Sequence, residues 1–153
     1  MTAPTVGTHP GATYSTLATM NIAGRPEVVE NQKGDKSTLS AVLFESADTI
    51  TVGQLAVEAG EPEHLERWFK ENIRDSDWLT NPHFGKTYSA VDLSAMVMKK
   101  VVQDAEHTLG PITKAVITVP AYFDKIGRKA TTDAAKLARL EVLYLINAPM
   151  AAA

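Results

Sequence analysis

The chain contains no cysteine, which excludes disulfides, thiolate nucleophiles and cysteine-ligated metal sites and is compatible with a reducing compartment. Its first fifteen residues, MTAPTVGTHPGATYS, hold no lysine, no arginine and no long apolar run. They resemble neither a secretory leader nor a membrane span. Charge of one sign is also scarce: 18 acidic residues against 15 basic ones leave a net charge of −3, so nothing electrostatic calls for nucleic acid. No internal repeat occurs, and no low-complexity tract beyond the terminal alanines. What remains is 153 residues, 44% of them hydrophobic, enough for one domain with a real core. The chain is expected in the cytoplasm, with neither nucleic acid nor membrane among its partners.

The C-terminal third organises the rest. Val116, Ile117 and Val119 form a β-branched run, and Leu143 to Ile146 form a second apolar run of strand length. Between them Ile126, Ala130, Ala134, Leu137 and Ala138 recur at helical spacing, with Asp124 as N-cap and Arg128, Lys129, Thr132, Asp133, Lys136 and Arg139 on the other face. Two strands joined by one crossover helix lie parallel, so the fold class is α/β.

Upstream, the first strand has only Val6 before Gly7 and is followed by Pro10, so it is expected to be short or frayed. Thr13 to Asn21 and Glu27 to Glu30 make a hairpin about Ala23-Gly24. Asn31 to Lys36 is a loop and Leu39 to Glu45 a strand. VGQLAVEAG is a short helix turning Val52, Leu55, Ala56 and Ala59 inward before Gly60. Pro62 opens a helix on which Leu65, Trp68, Phe69 and Ile73 share a face, and Asp75 to Tyr88 is an exposed connection. Ser89-x-x-Asp92 is a capping box for a long amphipathic helix carrying Leu93, Met96, Val97, Val101, Ala105 and Leu109, stopped by Gly110-Pro111.

Four histidines, His9, His64, His83 and His107, have separations that fit no ligand motif, with His64 and His107 on solvated helix faces, so no metal site is expected. Ser, His and Asp occur without a nucleophile elbow, so no hydrolase triad is expected. VGTHPGATYS, Val6 to Ser15, places Gly11 and Thr13 in a tight turn between strands. On spacing alone that turn is either a plain hairpin start or a nest of N–H groups for a phosphate. Lys70, beside Glu66 and Arg74, reads on the same terms as a solvated helix lysine.

VITVPAYF, the arginine-bearing helix after it, LEV and INAPMAAA together resemble the actin-like ATPase domain of the seventy-kilodalton heat-shock chaperones. VGTHPGATYS resembles that family's first phosphate loop and VGQLA another of its segments, in the same order. The resemblance implies a ribonuclease-H-like, actin-like ATPase lobe: a mixed sheet with helices on its faces. Residues 1–153 would be the first lobe of such a domain, with the second lobe and the peptide-binding domain absent. It implies ATP or ADP with Mg²⁺ as the family's cofactors, and unfolded peptides and J-domain co-chaperones as its partners. By the same resemblance Gly11, Ala12, Thr13 and Tyr14 bind phosphate, Lys70 is the catalytic lysine near the γ-phosphate, and Pro120 and Arg128 relay nucleotide state to the peptide-binding domain.

The departures matter as much. Where the family holds Mg²⁺ and orients water with carboxylates, this chain has His9 and Ala148, and the third acidic residue falls in a loop it does not contain. Little or no ATPase activity and weak or no nucleotide binding are therefore expected. Of the positions that receive J-domain partners only Asn147 matches, with Tyr144 and Met150 at the others, which argues against that partnership. An apolar patch of Ile146, Pro149, Met150 and Ala151 to Ala153 is expected to drive self-association. The alternative is an interaction or structural protein that uses the same fold without nucleotide.

Overall fold

The computed structural model describes residues 4–147. Strand β8 (Lys114–Val119), helix α3 (Lys125–Leu137) and strand β9 (Glu141–Asn147) form the expected crossover. The two strands are parallel, with Val116 opposite Tyr144 and Thr118 opposite Ile146; an antiparallel pair would have broken the fold assignment. The Asp124 carboxylate caps α3 by accepting from the Gly127 N–H at 3.1 Å. The face that α3 buries is Gly127, Ala130, Thr131, Ala134 and Ala135, whereas Ile126 and Leu137, expected on it, are exposed. Close approach selects small residues there: a Cβ at Gly127 would stand 2.8 Å from the Phe123 ring, which leaves no room for a branched chain.

Strand β1 (Thr5–Pro10) corrects the expectation of a short or frayed first strand. It is six residues long and lies between β2 (Tyr14–Met20), antiparallel, and β8, parallel. Pairing on both sides overrides weak local propensity, and Pro10 sits at the strand end opposite Ser15, where a missing N–H costs little. Strand β3 (Pro26–Val28) completes the expected hairpin with β2. The resulting mixed sheet has the order β3-β2-β1-β8-β9.

The run from Leu39 is two strands, not one. It divides at Ser40: β4 (Thr38–Leu39) pairs with β2, whereas β5 (Ala41–Phe44) joins a second sheet with β6 (Ile50–Val52) and β7 (Leu65–Arg67). Helix α1 (Gln54–Glu58) is followed by Gly60 at φ +70°, as expected, but Leu55 and Ala59 face solvent and only Ala56 is fully buried.

The helix expected from Pro62 does not form. Pro62–His64 and Phe69–Asn72 are single 3-10 turns separated by β7, which pairs with β5 through Leu65 opposite Leu43 and Arg67 opposite Ala41. This ladder satisfies backbone groups that a local helix would have satisfied, and Trp68, at φ +56°, turns the chain out of the strand. Phe69 and Ile73 are buried as expected, but Trp68 is exposed. Nor is Asp75 to Tyr88 wholly exposed. His83 is 2% exposed, stacked on Phe44 at 4.6 Å, with Nε2 2.7 Å from a Glu66 carboxylate oxygen and Nδ1 3.1 Å from Nδ1 of His64. His64 is accordingly part-buried and not on a solvated helix face.

Helix α2 (Ala90–Leu109) carries the capping box: Asp92 N–H donates to Ser89 Oγ and Ser89 N–H to the Asp92 carboxylate, both at 3.0 Å. Its Leu93, Val97, Val101 and Ala105 meet Val6, Leu17, Ile117 and Ala134 in one core, where each fully buried Leu, Ile or Val contributes about 2 kcal/mol. Among the described residues no helix is long and apolar enough to cross a membrane.

Candidate functional site

Gly11, Ala12 and Thr13 connect β1 to β2, and Ser40 shapes them from behind. Its N–H donates to the Thr13 carbonyl and its hydroxyl to the Gly11 carbonyl, each at 2.8 Å, while the same hydroxyl lies 2.8 Å from Ser15 Oγ. With the carbonyls drawn back, the N–H groups of Gly11, Ala12 and Thr13 have no acceptor among the described residues. A Cβ on Gly11 would run into the Tyr14 carbonyl oxygen, so the turn admits only glycine there. Unpaired amides in a tight turn are the kind of donor from which anion-binding nests are built.

Lys70, in the 3-10 turn after Trp68, reaches back to this loop. Its ammonium donates to the Pro10 carbonyl and lies 5.9 Å from the centre of the Phe123 ring. No carboxylate pairs with it among the described residues, and burial holds its pKa down to about 8. His9, at the end of β1, has Nδ1 2.5 Å from Thr118 Oγ1, and its Nε2 lies toward the loop, 3.4 Å from where a Gly11 Cβ would stand. Partial burial first, and then the Lys70 charge, lower its pKa, although the side chain keeps an exposed edge; the neutral ring is favoured and Lys70 is the cation.

Behind the loop, Pro10, Gly11, Ser15, Ser40 and Lys70 help to line a cavity of about 20 Å³. That is room for a water and far too little for a phosphate. A phosphate would therefore have to bind outside this cavity.

The structure thus brings together Gly11, Ala12, Thr13, Tyr14, His9 and Lys70. It leaves Pro120 and Arg128 apart, beyond β8 and in α3. The Pro120 carbonyl accepts from the Phe123 N–H at 3.0 Å, a turn that sets the Phe123 ring near Lys70. Arg128 Nη2 reaches Asn147 Oδ1 at 3.4 Å, and its Nη1 is buried without a partner among the described residues. Ala148 and Met150 lie outside the described residues, as do Pro149 and Ala151 to Ala153 of the expected apolar patch. Ser40 and Thr118 escaped sequence reasoning. A lone hydroxyl between the apolar neighbours Leu39 and Ala41 was the one available signal for Ser40, and Thr118 gave none inside a β-branched strand.

The donors around the loop are amides, an imidazole and an ammonium. They fit an oxyanion. Mg²⁺ takes hard oxygen ligands, usually through one or two carboxylates and waters, and no acidic side chain acts on His9 or Lys70. Among the described residues no group of three or more His, Cys, Asp or Glu side chains could hold a metal ion. The residues present therefore do not fit Mg²⁺ at this loop.

A model of the Hsp70 protein family matches residues 60–153. The chaperone protein DnaK of Thermus thermophilus is 37% identical over 174 aligned positions, covering 99% of this chain and 28% of the relative. DnaK from a second strain of the same organism matches to the same extent. The chain spans a little over a quarter of the length of these curated relatives.

Proposed function

This chain belongs to the Hsp70 protein family, and from that premise we propose that residues 1–153 form the first, phosphate-loop lobe of an Hsp70-type ATPase domain, which meets nucleotide phosphates weakly and does not turn ATP over. The observation that carries this reading is the Lys70 ammonium drawn against the Pro10 carbonyl, beside a glycine turn whose N–H groups are free. Lys70 would stand at the outermost phosphate, and the amides of Gly11 to Thr13 would hold its neighbour. Phosphoryl transfer is almost entirely positioning and charge stabilisation. With His9 and Ala148 where the family has carboxylates, no acidic side chain at these two positions orients an attacking water. His9→Asp with Ala148→Glu should not restore turnover in residues 1–153 by themselves, because positioning as well as charge is required.

Isothermal titration with MgATP and a phosphate-release assay test both parts. Binding weaker than micromolar and release at the level of the buffer blank are expected. Micromolar affinity, or release above the blank that disappears in Lys70→Ala, would overturn the proposal.

We place the protein in the cytoplasm. J-domain docking at Tyr144 and Asn147 is not part of the reading, and neither is a Pro120–Arg128 relay to a peptide-binding domain. Self-association is. Strand β9 is an edge of the sheet, with Leu143 37% and Tyr144 70% exposed, and an open edge is a template for another strand. The same exposure favours the second reading, an interaction protein without nucleotide. Sedimentation showing a clean monomer at high concentration would count against self-association.

A further inference from the structure

We infer that the β1–β2 loop takes a tetrahedral oxyanion without a metal ion, with Lys70 supplying the fixed cation and His9 taking up a proton as the anion arrives. The inference rests on the phosphate-loop reading above and concerns how that site balances charge.

Three observations meet at one place. Lys70 is a largely buried lysine with no carboxylate partner among the described residues, its ammonium held only by the Pro10 carbonyl. A buried cation without a counter-charge is costly, and a bound anion would remove that cost. The amides of Gly11, Ala12 and Thr13 are unpaired, so the same anion would satisfy them. His9 is fixed at Nδ1 by Thr118, which leaves Nε2 free on the side of the loop.

The charges facing His9 decide the direction of coupling. From the 3-10 turn comes Lys70, which disfavours a second positive charge. From β8 comes Thr118 and from β2 the cross-strand Thr16, both uncharged. No Asp or Glu acts on it. In the free protein the neutral ring is therefore favoured at pH 7. An oxyanion among these groups reverses the local field, raises the proton affinity of Nε2, and gains a second donor that bears charge. Affinity should then rise as pH falls through the histidine range, and fall again above about pH 8 as Lys70 loses its proton. A divalent cation would add to a site that already has its positive charge and, among the described residues, offers no carboxylate to hold it.

The experiment uses the whole chain and two probes. Sulfate remains a dianion across the range, so its titration at pH 6 and pH 7, where Lys70 keeps its proton, in two buffers of different ionisation enthalpy, reads protons taken up by the protein alone. Tighter binding at pH 6 is expected, by at most about tenfold per pH unit for one linked proton, with uptake approaching one. Inorganic triphosphate should bind equally in chelator and in Mg²⁺. The His9 ring protons, followed by NMR, should titrate below the ordinary histidine range alone and higher with sulfate, which requires no variant. His9→Gln should abolish the uptake and leave weak binding through Lys70. Triphosphate binding that needs Mg²⁺, or sulfate binding without proton uptake, would overturn this inference and leave the phosphate-loop reading standing. Failure of both anions to bind under any of these conditions would end both.

Discussion

The crossover unit from Lys114 to Asn147 and the segment from Glu61 to Tyr88 are held in opposite ways. In the crossover unit most of the backbone lies inside a strand or helix, and a row of small residues, Gly127, Ala130, Ala134 and Ala135, seats α3 on the sheet. In the earlier segment the regular pieces are three or four residues long. A few specific contacts fix it: the short β7 ladder, the Phe44–His83 and Phe44–Tyr88 stacks, and the His83–Glu66 pair. Many interchangeable contacts make a region robust to any single loss, whereas a few make it depend on each. Lys70 belongs to the second kind, so the candidate site is built half on the rigid sheet and half on the vulnerable segment.

The largest effect that would expose this contrast is Phe44→Ala. Phe44 is 1% exposed and stacked between His83 and Tyr88, so the substitution should cost about 3–5 kcal/mol in urea unfolding. Hydrogen exchange should show amides of residues 61–88 losing protection well before those of β8 and β9. Equal loss in both regions would erase the distinction. An intermediate effect is expected for Ser89→Ala, which removes the cap of the helix both regions pack against. It should cost about 1 kcal/mol and shift the urea midpoint with an unchanged slope. A changed slope would mean that the segment had detached.

The smallest effect sharpens the comparison at the surface. The Asp124 carboxylate accepts from Arg74 at 2.6 Å and from the Gly127 N–H, joining the middle of the vulnerable segment to the first turn of α3. Its carboxyl is held down from 3.8 to about 2 by the Arg74 hydrogen bond first and the Gly127 N–H next. A depressed folded pKa stabilises above pH 3.8, and the benefit is lost as pH falls toward 2. Asp124→Asn keeps the cap and deletes the charge. Its melting temperature should lie slightly below that of the wild type at pH 5, and the gap should shrink as pH falls from 3.8 toward 2. A gap that persists at low pH would assign the effect to the cap.

Legibility followed the same division. The crossover could be read from Val116 to Ile146 because strand and helix periods there coincide with the burial, although Ile126 and Leu137 were placed on the wrong face. A spacing rule sees which residues are apolar and not how closely two backbones approach. The Pro62 helix was misread because its apolar repeat is real, with Phe69 and Ile73 buried, while hydrogen bonds to β5 decide the conformation and lie outside any local window. His83 carried no local signal of burial, because its partners are Phe44, Glu66 and His64.

For the site, the sequence by itself determined the loop's chemistry: a glycine turn between strands, a histidine where the resembled family has a carboxylate, and no cysteine to bring a soft metal. These are properties of residue identity and short spacing, and they survive any fold. Tertiary structure alone decided that Lys70, sixty positions from Pro10, would stand at that turn without a carboxylate beside it, and that Ser40 would draw the loop carbonyls back. It also decided that Thr118 would fix the His9 ring. The physical reason is that desolvation and charge pairing depend on distance in space. Position along a chain constrains that distance only within a helix, a strand or a tight turn.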